Sequence, residues 1–186
     1  MLTNPDLYEI IKGQRGMLKG VESCVQSQCL VSAVALIYST IDAISALTRA
    51  REKTKTDRTV FKAWIEKYVP IAKLGCTAAD LYGARCGLLH TYSPESDLSR
   101  EGGGEVKTVI YTWQTGPNPD RAALSNVRPD AILLCVEHLW GALREGVDVF
   151  LAEVERNPDL HDLVLYHARE LLCYRPWTPV EIRMAA

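Results

Sequence analysis

The chain has 186 residues, of which 47% are hydrophobic and 24% are charged, a composition typical of a folded globular protein that buries its own core. Its net charge of −2 gives no sign of a generally basic nucleic-acid-binding protein. The amino terminus lacks a basic segment followed by an apolar one, and no apolar run reaches the length of a membrane span. The sequence therefore predicts a cytoplasmic protein without membrane contact.

The first half of the chain shows helical periodicity. We expect a short helix or an arm near residues 7–12, a long helical region over 16–51 with a break near Ser27, and a helix over 58–68 that Thr56 or Asp57 caps. Within the long region apolar residues surround much of the helix, so this helix should be central. The first 129 residues carry 16 basic and 13 acidic residues, whereas residues 130–186 carry 5 and 10, so the front of the chain is the more basic part.

Two polar features stand out in this region. Asp42 lies on the predicted central helix, where a carboxylate needs a partner; it either lies exposed at the rim or faces a later helix that contains Arg85. A basic cluster follows, which either complements the dipole at the end of its helix or contacts RNA phosphates. The cluster consists of Arg49, Arg51, Lys53, Lys55 and Arg58.

A helix over 76–92 is predicted next and carries the residues that most suggest chemistry. Arg85 and His90 lie five positions apart, with Cys86 one turn before His90. Small residues recur at every fourth position, which favours close approach of another helix, either within the chain or from a second subunit. This stripe comprises Gly75, Ala79, Gly83 and Gly87.

The second half of the chain is predicted to begin with a flexible, glycine-rich loop around 94–105. Residues 106–113 (Val106–Trp113) are β-rich and form a strand candidate, whose partner is either a segment near 122–127 or the same strand of a second subunit. A helical extension over 128–174 follows, with one helix to about Arg156 and a last one to about Tyr174. The chain is thus predicted to be mainly α, a helical bundle with one minor β element, organised as a single domain over 1–186.

The spacing Arg85-x4-His90 inside a helix of a small helical protein resembles the motif of the HEPN family. The resemblance implies an α-helical bundle that commonly dimerises. Many members are metal-independent ribonucleases of toxin–antitoxin, abortive-infection and CRISPR systems, and others only bind RNA or a protein partner. Active members often carry a polar residue such as Asn or Asp directly after the arginine, where this chain has Cys86.

The resemblance implies Arg85 and His90 as catalytic residues and permits a supporting role for Asp42 on the upstream helix. From their positions on the predicted helix we also expect Tyr82, Cys86 and Tyr92 as neighbours. Arg85 would hold an RNA phosphate while His90 exchanges a proton with the attacking or leaving oxygen. We expect no metal and no cofactor, and as partners a second copy of the chain, RNA, and an antitoxin or nucleotidyltransferase. The alternative is a non-catalytic binding or scaffold module in which Arg85 and His90 are structural.

Overall fold

The computed structural model describes residues 5–91, 93, 106–114, 128, 131–169 and 171. It confirms a mainly α fold with a minor β element. In chain order the elements are α1 (Pro5–Lys12), α2 (Met17–Gln26), α3 (Leu30–Ala46), α4 (Arg58–Tyr68), a short 3-10 helix (Ile71–Leu74), α5 (Ala78–Thr91), β1 (Thr108–Thr112), β2 (Ala131–Cys135), α6 (Val136–Arg156) and α7 (Pro158–Ala168).

Helix α3 is the central element of the bundle, as its apolar pattern predicts. Buried positions recur along it, and it packs against α2, α4, α5 and α6. The predicted break near Ser27 is confirmed, since α2 ends at Gln26 and α3 begins at Leu30. Gln28 in this break has a φ of 57°, which a helix cannot accommodate. The buried residues of α3 are Ala33, Val34, Ile37, Tyr38, Thr40, Ile41, Ile44 and Ser45.

The prediction of a continuous helix from residue 128 to 156 is wrong at its start. Residues 131–135 form β2, which pairs in parallel with β1 in a register that runs from Thr108 opposite Ala131 to Thr112 opposite Cys135. The run Ala-Ile-Leu-Leu-Cys is short and wholly apolar, and such a run fits a buried strand as well as a buried helix. The partner of β1 is therefore β2 of the same chain, rather than the predicted segment near 122–127 or a second subunit. The segment 122–127 and the loop at 94–105 lie outside the described residues. Helix α7 ends at Ala168 with Arg169 as its C-cap, so the predicted end near Tyr174 is wrong.

A buried carboxylate joins the start of α5 to the start of β1. Asp80, only 3% exposed, accepts hydrogen bonds at Oδ2 from the backbone nitrogen and the hydroxyl of Thr77, both at 2.8 Å. Its own backbone nitrogen donates to Thr77 Oγ1 at 3.1 Å, which completes a reciprocal helix cap. Asp80 Oδ1 also accepts from the backbone nitrogen of Lys107 at 2.7 Å. The helix that carries Arg85 is therefore fixed at its amino end against the sheet.

Two tyrosines connect the central helix to the sheet. The hydroxyl of Tyr38 on α3 lies 2.7 Å from the hydroxyl of Tyr111 on β1. Burial raises the pKa of Tyr38 well above its ordinary value, and burial also raises the pKa of Tyr111. Both side chains are consequently neutral phenols that share one hydrogen bond.

We expect Tyr38→Phe and Tyr111→Phe each to lower the free energy of unfolding by about 1–3 kcal/mol, because each leaves the other hydroxyl without this partner. The double variant Tyr38→Phe/Tyr111→Phe should lose less free energy of unfolding than the two single variants lose together, because it leaves no unpaired hydroxyl behind. Urea denaturation of the four proteins measures this coupling. Strictly additive losses would contradict a hydrogen bond between the two tyrosines.

An aromatic cluster of Trp64, Tyr68 and Phe150 holds α4 and α6 together. The ring centroid of Phe150 lies 6.0 Å from that of Trp64 and 5.2 Å from that of Tyr68. Next to this cluster α6 approaches α4 closely at Gly146, where an added Cβ would lie 3.1 Å from the carbonyl oxygen of Tyr68. Within the described ranges, none of the helices is both long and apolar enough to span a lipid bilayer.

Candidate functional site

The centre of the candidate site is an ion pair between α3 and α5. Arg85 donates from Nε and from Nη2 to Asp42 Oδ2, at 2.8 Å in both cases. The two side chains are 23% and 26% exposed, so the pair is shielded but reaches solvent. Burial works against the charge of Arg85, but the hydrogen bond and the charge of Asp42 outweigh it and raise the pKa of the guanidinium. The site therefore contains a permanently charged arginine held in one orientation.

A pocket of about 200 Å³ opens beside this ion pair. Its walls come from α3, from the connection before α4, from α4 itself and from α5. This volume corresponds to several water molecules, and it is large enough for a phosphate group. The lining residues are Asp42, Thr56, Asp57, Phe61, Tyr82 and Arg85.

Tyr82 and Cys86 are the neighbours of Arg85 on its own helix. Tyr82 packs edge-on against Phe61, with ring centroids 5.4 Å apart, so its ring forms a rigid wall of the pocket. Burial, and then the neighbouring Cys86, raise the pKa of Tyr82, which keeps it a neutral hydroxyl. Arg85 Nη1 lies 3.9 Å from Cys86 Sγ, a distance at which sulfur is at most a weak acceptor.

The opposite wall of the pocket comes from the cap of α4. Asp57 Oδ1 accepts hydrogen bonds from the backbone nitrogens of Thr59 and Val60, at 2.9 and 3.0 Å, so of the two predicted alternatives Asp57 rather than Thr56 caps α4. Lys53 donates to Asp57 Oδ2 at 3.0 Å. This hydrogen bond, together with those to the backbone, lowers the pKa of Asp57. The basic cluster therefore runs directly to the edge of the Arg85 pocket, a proximity that the sequence analysis missed.

The members of the basic cluster have different roles. Arg49 is buried and donates to the carbonyl oxygens of Ala46 and Lys53, at 2.8 and 3.0 Å. It thus satisfies the last carbonyl of α3, that of Ala46, and ties it to the connection before α4, so for Arg49 the structural alternative applies. Arg51, Lys55 and Arg58 are exposed, so their charges face solvent.

His90 lies on α5, but its side chain is outside the described residues, as is the whole of Tyr92. On a regular helix the five-residue spacing places His90 about 140° around the axis from Arg85. The structure consequently brings together Asp42, Tyr82, Arg85 and Cys86. The approach of His90 to this group remains a prediction.

The predicted stripe of small residues needs a correction. Gly75 lies before α5 rather than in it, with a φ of +67°, and its role is to end the 3-10 helix in a left-handed conformation. Gly83 and Gly87 are buried within the single chain, where α5 packs against α3, α4 and β1. The burial of Gly83 and Gly87 fits the alternative of close helix packing within the chain, whereas Ala79 on the same helix is only half-buried.

A second cavity, of about 450 Å³, runs along β2 beside the 3-10 helix. The sequence analysis missed it because it assigned β2 to a helix. Near its end Cys135 Sγ lies 3.1 Å from Glu137 Oε2, and the backbone nitrogen of Gln114 donates to Glu137 Oε1 at 3.1 Å. These groups bind one another, and Lys73 on the cavity wall is paired with Glu145 at 2.8 Å. The Arg85 pocket is therefore the stronger candidate site.

No family model, curated protein or solved structure matches the chain. Among the described residues, no group of three or more histidine, cysteine, aspartate or glutamate side chains is placed to hold a metal ion. A functional interpretation must accordingly start from the Arg85 pocket and the sequence motif that contains it.

Proposed function

We propose that the protein is a HEPN-like RNA-interacting domain that acts as a metal-independent ribonuclease in the cytoplasm, in a bacterial defence or toxin–antitoxin type of system. One observation carries the proposal. Asp42 holds the guanidinium of Arg85 in a phosphate-sized pocket between α3, α4 and α5, and Tyr82, three positions earlier on the motif helix, forms one wall of that pocket. A charged, oriented guanidinium is suited to binding phosphate oxygens.

The chemistry that fits these residues is transphosphorylation. A ribose 2′-oxygen attacks the adjacent phosphorus and loses its proton, while the bond from phosphorus to the 5′-oxygen breaks and that oxygen gains a proton. In our proposal Arg85 stabilises the negative charge that develops on the phosphate oxygens. His90 accepts the first proton or donates the second, since an imidazole titrates near neutral pH.

A homodimer is part of this proposal, because a second motif helix would supply the His90 that an ideal helix places away from Arg85. An antitoxin or a nucleotidyltransferase is the type of protein partner that we propose for such a system. These assignments derive from the resemblance to the family, and sedimentation of the purified protein at micromolar concentration tests the dimer.

The second candidate function is a non-catalytic binding or scaffold module. The same ion pair supports it, because a contact between α3 and α5 stabilises the bundle whether or not RNA binds there. In this case Arg85 is needed for stability, and no cleavage depends on it.

Incubation of the purified protein with structured and unstructured RNA in EDTA tests the two candidates. We expect the wild type to cleave RNA in EDTA, leaving a cyclic phosphate and a 5′-hydroxyl, and His90→Ala to be slower by at least ~10². His138→Ala is the matched control, since His138 is an exposed histidine on α6. Undiminished cleavage by a folded His90→Ala protein, or loss of wild-type cleavage in EDTA, would reject the ribonuclease. RNA binding without cleavage would support the binding module.

A further inference from the structure

A segment that is exposed except for Arg49 connects the Arg85 pocket to an exposed tyrosine on α7. We call residues 49–58 the basic segment. At its first end the Cζ atom of Arg51 lies 5.1 Å from the ring centroid of Tyr166, and Arg49 O lies 3.0 Å from Nε2 of the buried His167. At its other end Thr56 and Asp57 line the Arg85 pocket. The segment therefore forms one continuous surface between Tyr166 and Arg85.

The exposed charges of the basic segment are predominantly positive. Four exposed side chains are basic and two, Glu52 and Asp57, are acidic. Asp57 pairs with Lys53 and accepts from the α4 backbone, so the charges of Asp57 and Lys53 compensate each other and Arg51, Lys55 and Arg58 supply the positive excess. One further acidic side chain lies near this surface: Asp162, one turn before Tyr166 on α7, is exposed and has His161 beside it. The exposed basic side chains are Arg51, Lys53, Lys55 and Arg58.

Tyr166 gives this surface a second chemical property. It is one of the large hydrophobic side chains that remain exposed, at 45%, and Arg51 covers its ring. An accessible aromatic ring beside an arginine is a combination on which an unpaired nucleobase stacks, and such stacking tolerates any base. A base inside a duplex has no free face and could not use Tyr166 in this way.

We propose that single-stranded RNA binds along the basic segment, with a base stacked against Tyr166 and Arg51 and with backbone phosphates on Lys55 and Arg58, and that this path leads the strand to Arg85. The inference rests on the proposed function, because it names the form of RNA that reaches the same site. In this arrangement the basic segment and Tyr166 supply the affinity for RNA, whereas Arg85 and His90 carry out the cleavage.

Fluorescence anisotropy of a labelled oligouridine and of a labelled RNA duplex tests the aromatic part of the path. We expect Tyr166→Ala to weaken binding of the single strand at least about fivefold and to leave duplex binding unchanged. Tyr166→Phe keeps the ring and should bind like the wild type. Tyr8→Ala is the matched control, since Tyr8 is 46% exposed and has Lys12 5.9 Å from its ring; its affinity should not change.

The salt dependence of single-strand RNA binding tests the charged part of the path. We expect Lys55→Ala/Arg58→Ala to reduce the slope of log affinity against log salt by about 1.4, which is about 0.7 for each lost phosphate contact with a single strand. Lys67→Ala/Lys73→Ala is the control of equal charge, since these lysines lie near the carboxyl end of α4 and on the 3-10 helix, paired with Glu153 and Glu145. Circular dichroism and melting temperatures verify that each variant is folded.

The outcomes separate this inference from the proposed function. Cleavage by the wild type together with unchanged single-strand affinity in Tyr166→Ala and Lys55→Ala/Arg58→Ala would overturn the path and leave the ribonuclease intact. Tighter binding of the duplex than of the single strand would also overturn the path. A wild type that binds neither form of RNA would overturn both. Path variants that bind the single strand weakly, beside a wild type that cleaves and a His90→Ala protein that binds normally but no longer cleaves, would support both.

Discussion

Arg85→Ala is expected to slow RNA cleavage by at least ~10², because no other described side chain of the pocket carries a positive charge with which to stabilise the phosphate in the transition state. The same change removes the partner of Asp42, which should also lower the free energy of unfolding by about 1–3 kcal/mol. Single-turnover cleavage in EDTA measures the first effect, and urea denaturation measures the second. Arg144→Ala is the control, since Arg144 is an exposed arginine on α6 that lies over Trp140.

Asp42 makes it possible to separate catalysis from scaffolding. If Arg85 only pairs with Asp42, then Asp42→Ala/Arg85→Ala should recover part of the lost stability, because neither charge is left unpaired. If Arg85 binds phosphate, the double variant should regain stability and yet cleave as slowly as Arg85→Ala. Asp42→Asn keeps Arg85 but removes the charge that orients its guanidinium, so the cleavage rate of this variant should fall by less than that of Arg85→Ala. A double variant with wild-type cleavage would contradict a catalytic Arg85.

The sequence predicts the helices around this site well, because apolar residues recur with helical spacing along α3 and α4 and a capping residue precedes α4. The break near Ser27, the cap at Asp57 and the central position of α3 all follow from local patterns. The contact of Asp42 with the Arg85 helix was one of two alternatives. Periodicity places Asp42 on a largely buried helix, but it cannot specify which polar group of a distant helix lies opposite.

The parts that the sequence did not predict depend on contacts between distant segments. Residues 131–135 become a strand because β1, about 20 positions earlier, pairs with them; taken alone, an apolar run of five residues carries no period. Spacing places Gly75 in a stripe with Gly83, yet its left-handed backbone ends the preceding 3-10 helix. Likewise, Thr56 and Asp57 reach the Arg85 pocket only because α4 packs against both α3 and α5.

The aromatic cluster between α4 and α6 shows the same division between local and distant information. The periodicity of each helix predicts that Trp64 and Phe150 face inward, and both are buried, at 2% and 0% exposure. Their contact across two helices more than 80 positions apart is a property of the folded chain. This cluster holds α6 against α4, and α4 in turn carries Phe61 of the Arg85 pocket.

Phe150→Ala is therefore expected to have the largest effect on stability, a loss of about 3–5 kcal/mol, because it removes a fully buried ring and leaves a cavity against Trp64 and Tyr68. For a chain of this length we expect the melting temperature to fall by about 6–20 °C. Val149→Ala is the matched control on the same turn of α6; Val149 is 46% exposed, so its loss should change stability by no more than about 0.5 kcal/mol. Phe150→Leu fills part of the cavity and should lie between the two. Urea and thermal denaturation measure all three variants, and a loss below about 1 kcal/mol for Phe150→Ala would show that α6 does not pack on α4 through this cluster.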